Sequence, residues 1–195
     1  MPKVSQQYRD ARRQQILSAA RRCFLRSGFH ETSMQDLFAE AGLSSGSVYL
    51  YFAGKDDIML AIAEENMREV LALLHGLADQ PRADGIGAAV ADVLSVVRRK
   101  HEESQLGPMS VLVWAEALRN PKIAGTFNES LIQMRADLAE AVRSYQAAGG
   151  LPKDASADAV AKLLIAIVPG VILQLALFGT DDVAGMPEAV AALWP

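Results

Sequence analysis

Between Thr32 and Asp57 the sequence reads TSMQDLFAEAGLSSGSVYLYFAGKDD, and this run constrains the chain more tightly than any other. Met34, Leu37, Phe38 and Ala41 recur at helical spacing and predict a helix of barely two turns. Either Thr32 with Gln35 or Ser33 with Asp36 can open it as a capping box. Gly42 ends it, and a second short helix is predicted from about Ser45 to Phe52. Two helices can meet across so tight a turn if the contact residue is small and the turn residue is conformationally free, which Ala41 and Gly42 provide. Leu43, Val48 and Phe52 would pin the second helix to a core, leaving Ser44, Ser45, Gly46, Ser47, Tyr49 and Tyr51 outward. Small hydroxyl residues at a helix start suit close approach to phosphates and base edges, and tyrosines add further donors. The arrangement is that of a helix-turn-helix which reads duplex DNA. A plain helical hairpin would keep the Ala-Gly turn but would have no use for the outward serines and tyrosines.

Charge supports the same reading. The chain carries a net −4, yet residues 1–30 hold seven basic side chains (Lys3, Arg9, Arg12, Arg13, Arg21, Arg22, Arg26) against the single acid Asp10. A small basic head and an acidic body are implied. Within the head, Ile16, Ala19, Ala20, Cys23 and Phe24 mark an amphipathic helix from about Arg9 to Ser27, closed by Gly28.

After Gly54 a fourth helix is predicted to about Ala78, with Asp56 and Asp57 in a first turn where acids complement the helix dipole. Asp79–Gly85, with Pro81, reads as a linker. Further helices are expected at about 86–103, 109–119, 122–147, 156–178 and 186–194, separated by Gly/Pro/Asn punctuation. No segment alternates at strand period, so the fold is expected to be all-α. The apolar stretch Leu163–Phe178 is shorter than the roughly 20 residues of a membrane span. It is expected to be a helix buried in a core or a subunit interface, with Pro169 kinking it. One cysteine, Cys23, excludes an intrachain disulfide. His30, His75 and His101 are scattered without metal-ligand spacing, so neither a metal nor any other cofactor is expected. Glu102-Glu103 and Asp181-Asp182 read as solvated helix ends rather than acid–base pairs. With no leader-like apolar start, a cytoplasmic protein is expected.

The run GLSSGSVYLYFAGKDDI resembles the signature of the tetracycline-repressor (TetR) family: glycine, a hydrophobic residue, a small polar start, a Tyr-x-(His/Tyr)-Phe ending and a lysine opening the next helix. The similarity covers about residues 9–60. It implies an N-terminal three-helix DNA-binding domain, residues 1–53, and a C-terminal helical ligand-binding and dimerisation domain, 54–195. It implies DNA contacts from Ser33 and Gln35, from Ser44, Ser45, Gly46 and Ser47, from Tyr49 and Tyr51, and from Lys55 on phosphate. Phe38 stands where the family usually has alanine, and Ala53-Gly54 replaces its usual proline-serine. The implied protein is a repressor and not an enzyme. It is a homodimer on a palindromic operator in double-stranded DNA, released by a small, largely apolar effector, with no membrane partner. The dimer interface is expected from the helix 159–178 and the final 187–194 segment. Trp114, Phe127, Met134 and Gln174 are the expected pocket residues, although ordinary core packing accounts for each taken singly.

Two other readings stand beside this one. An enzyme on a helical bundle would need a nucleophile–base pair, a metal cluster or a phosphate loop, none of which the sequence offers. A pure protein-interaction module would keep the dimer helices without the outward Ser/Tyr set.

Overall fold

The computed structural model describes residues 5–78 and 84–194, and among these every regular element is a helix. The helices are α1 (Gln6–Ser27), α2 (Met34–Ala41), α3 (Ser45–Tyr49), α4 (Lys55–Ala78), α5 (Gly85–Ser104), α6 (Leu106–Ala117), α7 (Pro121–Ala148), α8 (Ala157–Phe178) and α9 (Met186–Leu193). Most of the expected linker 79–85 lies outside the described residues. Helix ends follow local chemistry. Ser33 caps α2, accepting from the Asp36 amide while the Asp36 carboxylate accepts from the Ser33 amide. Such a cap is worth about 1 kcal/mol. Thr32, the other expected cap, is buried instead and donates its hydroxyl to the Gly28 carbonyl. Gly42 takes the left-handed conformation, φ +64°, that the α2–α3 turn requires.

α1 begins three residues earlier than expected because Ser5 caps it at Tyr8. α6 begins at Leu106, ahead of Gly107-Pro108, because a proline in the first turn gives up an amide that had no helical partner anyway. α8 runs without interruption through Pro169.

Two apolar clusters organise the chain. The first joins Ile16, Leu17, Phe24, Leu37, Val48 and Phe52 of the head to Ile58, Met59 and Ile62 at the start of α4. The second joins the end of α4 to α5, α7 and α8 through Val70, Leu74, Val90, Val97, Leu138, Val142 and Ile172. Burying each large side chain contributes about 2 kcal/mol, so both clusters are well supplied. α4 belongs to both. Met109, Val113 and Ile123, from α6 and α7, also sit in the head cluster.

The C-terminal helix is docked within the chain. α9 lies on α5, where the Gly87 amide donates to the Trp194 carbonyl at 3.1 Å. A Cβ at position 87 would collide with that carbonyl. α8 is also not buried all round: Leu164, Val168 and Ile172 face the core, while Leu163, Leu173, Leu177 and Phe178 are exposed. It is the one helix among the described residues long and apolar enough to cross a membrane by composition. α7 and α8 are tied by Asp158, which accepts from Arg135 at 2.6 Å and pairs with Lys162 at 3.0 Å. The two cations hold its carboxyl at about 2.

Candidate nucleic-acid interface

α3 is a helix of five residues, and its stability comes from its ends and its floor rather than its length. Ser44 caps it, accepting from the Ser47 amide at 3.3 Å, and the two hydroxyls lie 2.8 Å apart. Val48 is fully buried and Phe52 nearly so, which fixes the rotation of α3 about its axis. The amides of Leu50, Tyr51 and Phe52 continue the turn by donating to Gly46 and Val48 carbonyls. With that rotation set, Ser44, Ser45 and Gly46 are exposed, Ser47 is half-buried, and Tyr49 is 51% exposed.

Phe38 gives Tyr49 its bearing. The two rings meet edge to face with centroids 5.5 Å apart, so the residue that departs from the family's usual alanine becomes a support for the outward tyrosine. Tyr51 is half-buried against the head cluster. On α2, Gln35 is exposed. The Ser33 hydroxyl is occupied by the cap and donates to the Asp36 carboxylate at 2.6 Å, which with the amide bond pulls the Asp36 carboxyl below its usual range.

Lys55 stands apart from the rest of the expected set. Its ammonium donates to the carbonyls of Phe29 (2.7 Å), His30 (3.1 Å) and Thr32 (2.8 Å) and lies over the Phe29 ring. An ammonium has three N–H donors, so a phosphate could take one only if a carbonyl gave it up. Where a side-chain cap for α4 is missing at Ala53-Gly54, Asp57 accepts from the Ala53 amide at 3.1 Å.

The basic head is more balanced than the sequence suggests. Arg13 and Arg21 both donate to Glu65 on α4, at 2.7 and 2.6 Å. Burial pushes the Glu65 carboxyl up, but the bonds from Arg21, Arg13 and Gln14 outweigh it and hold the carboxyl below its usual value. Arg22 and Arg26 pair with Glu40 on α2. Among the described residues, Arg9 and Arg12, near the start of α1, bond only neutral partners and keep their charge for the surroundings. Sequence spacing carries no sign of the Glu65 and Glu40 pairings, whose partners are 14–52 residues apart. Leu50, also outside the expected set, was readable: it lies midway between buried Val48 and Phe52 and therefore points out.

Among the described residues, α6 is tied to α4 and to the head at three places. Asn66 on α4 donates to Ser110 on α6 at 2.9 Å in a buried pair. His30 Nε2 lies 3.2 Å from Glu116 Oε1, joining the α1–α2 turn to α6. Met109 and Val113 of α6 enter the head cluster. The four expected pocket residues are dispersed. Met134 is buried in the body core with Trp114 packed on it, Phe127 packs on the head cluster, and Gln174 is half-buried on α8. A cleft of about 130 Å³ between α1, α4 and the α5–α6 turn, lined by Arg21, Asn66, Glu69 and Met109 among others, includes none of the four. No group of three or more metal-ligating side chains occurs among the described residues.

Residues 16–62 match the family model for bacterial regulatory proteins of the tetR family, and residues 84–193 match that of the BetI-type transcriptional repressor C-terminal domain. The chain belongs to the TetR family. This TetR-family protein is therefore a DNA-binding transcriptional regulator and not an enzyme. It is 28% identical over 163 residues to the HTH-type transcriptional regulator UidR of Escherichia coli K12, covering 84% of this chain and 81% of that one. Its fold matches Salmonella enterica GusR with a TM-score of 0.77 at 24% identity, over 98% of this chain and 96% of that one. A regulator from Saccharomonospora viridis in complex with choline matches with a TM-score of 0.71 at 23% identity, over 93% and 94%.

Proposed function

We propose that this TetR-family regulator is a cytoplasmic, homodimeric repressor that holds a palindromic operator and releases it when a small, largely apolar molecule enters its helical body. The observation that carries the reading is the outward face of α3, with Ser44, Ser45, Gly46 and Tyr49 exposed over a core that fixes its rotation. Gln35 and the Ser33 cap extend that face onto α2, Tyr51 borders it, and the uncommitted charges of Arg9 and Arg12 suit a flanking phosphate strand. Ser47 is shared between the cap and the face.

The exposed row Leu163, Leu173, Leu177 on α8, with Ile132 exposed on α7, supports dimerisation through these two helices. Such a face is costly to leave in water, and a second copy of the same α7–α8 pair would cover it. A two-fold dimer presents two α3 helices, which must reach successive major grooves about 34 Å apart. The domain boundary proposed at 53/54 places α4 as the link between reading head and ligand body.

The ties of α6 to α4 and to the head give an effector something to pull on. A molecule that displaces α6 moves Ser110, Glu116, Met109 and Val113 together, and with them the head. Operator affinity falls in proportion to the effector's preference for the displaced state. The solved complex of a similarly folded regulator with choline supports a small-molecule effector. Trp114, Phe127, Met134 and Gln174 remain the proposed lining, reached when the body opens.

The test is a fluorescence-anisotropy titration of the full chain with labelled duplexes tiling the DNA upstream of its own gene. One duplex bound at least about a thousandfold more tightly than the others supports the reading. Equal, weak binding to all of them contradicts it.

A further inference from the structure

Leu50 is a large apolar side chain on a face otherwise made of serines, tyrosine and glycine, and it is 84% exposed. Its amide donates to the Gly46 carbonyl at 3.3 Å, continuing the helical turn. Residues four apart in such a turn share a face, so Gly46 and Leu50 form one outward ridge opposite the buried Val48. Gly46 has open space where a side chain would stand. The ridge is thus a patch of bare backbone next to an isobutyl group, with Tyr49 beside it and steadied by Phe38.

A single exposed leucine on ordinary surface calls for no explanation. On this face it does, because docking α3 in a major groove strips its water. The floor of the groove offers nitrogen and oxygen edges and one apolar group, the C5-methyl of thymine. A leucine pressed on a polar edge leaves that edge without a hydrogen bond, which is costly, whereas the methyl loses nothing and gains contact. We infer that Leu50 is a specificity-determining residue that selects thymine, through its methyl group, at one position in each operator half-site, with Gly46 leaving room for close approach. The inference rests on α3 being the reading helix.

The experiment uses the full chain and a tight-binding duplex selected from a random pool. Each thymine is replaced in turn by uracil, which removes the methyl and nothing else, and both versions are titrated with wild-type protein and with Leu50→Ala. Because Leu50 supports no packing inside the protein, the variant keeps its fold, checked by its unchanged thermal midpoint. Wild type is expected to lose about fourfold in affinity at one symmetric pair of positions when one half-site is changed, and about fifteenfold when both are. Leu50→Ala binds the thymine duplex several-fold more weakly and no longer distinguishes uracil there. A wild type indifferent to uracil at every position overturns the inference while leaving the DNA-binding reading intact. So does a variant that keeps the same sensitivity at the same position. Failure to select any duplex overturns both.

Discussion

The Lys55 ammonium donates to the carbonyl oxygen of Thr32 at 2.8 Å, joining the first residue of α4 to the segment that leads into α2. With the Phe29 and His30 carbonyls it closes a three-point staple across the head. A charged donor set of this kind is worth about 2 kcal/mol.

Lys55→Met is therefore expected to destabilise the head by about 2 kcal/mol, read as a lower midpoint in urea denaturation. Operator affinity should fall with it. The slope of log affinity against log salt should stay as in wild type, because all three N–H donors of the ammonium are taken by carbonyls and none is left for a phosphate. A slope smaller by about 1 would show instead that the ammonium exchanges onto a phosphate when DNA binds.

Phe38→Ala removes the ring against which Tyr49 rests. The expected result is a stability loss of about 1 kcal/mol together with roughly tenfold weaker operator binding, since Tyr49 must then be ordered on docking. Titrating Tyr49→Ala and the double variant checks the coupling: the two effects should not add.

Glu65 on α4 accepts from Arg13 and Arg21 of α1, and its carboxyl is held below the usual value of 4.5. A lowered folded-state value means that the stabilisation is complete above the unfolded value and disappears as pH falls through the folded one. Glu65→Gln should cost about 1–3 kcal/mol at pH 7, and progressively less as pH falls from the unfolded value of 4.5 through the lower folded one, where wild type itself becomes protonated. Denaturation midpoints from pH 3 to 7 for both proteins measure this directly.

Leu173→Arg places a charge in the exposed row of α8. Sedimentation velocity should show a dimer for wild type and a monomer for the variant. Operator affinity should fall at least a hundredfold, because two linked reading heads become two separate ones.

Helix positions were legible because their ends are set by local chemistry. Ser33, Asn120, Gly149 and Gly179 stand where a cap or a left-handed residue is needed, and their effect reaches only a few residues. The facing of α3 was legible for the same reason, since Val48 and Phe52 fix it within one turn. The charge balance of the head was not, because Glu65 and Glu40 meet their arginines through tertiary packing across 14–52 residues. Nor was the docking of α9, whose apolar spacing suits a subunit interface as well as it suits α5. Its placement depends on Gly87 allowing the Trp194 carbonyl to come close. The role of Lys55 was hidden because three backbone carbonyls leave no trace in side-chain identity.

Amide hydrogen exchange on the full chain, with and without a saturating specific duplex, tests most directly whether α3 lies against DNA. Slowed exchange across residues 33–36 and 44–51, with none gained along exposed α8, is the predicted result. Protection confined to other segments, with residues 44–51 exchanging as fast as in the free protein, would contradict it.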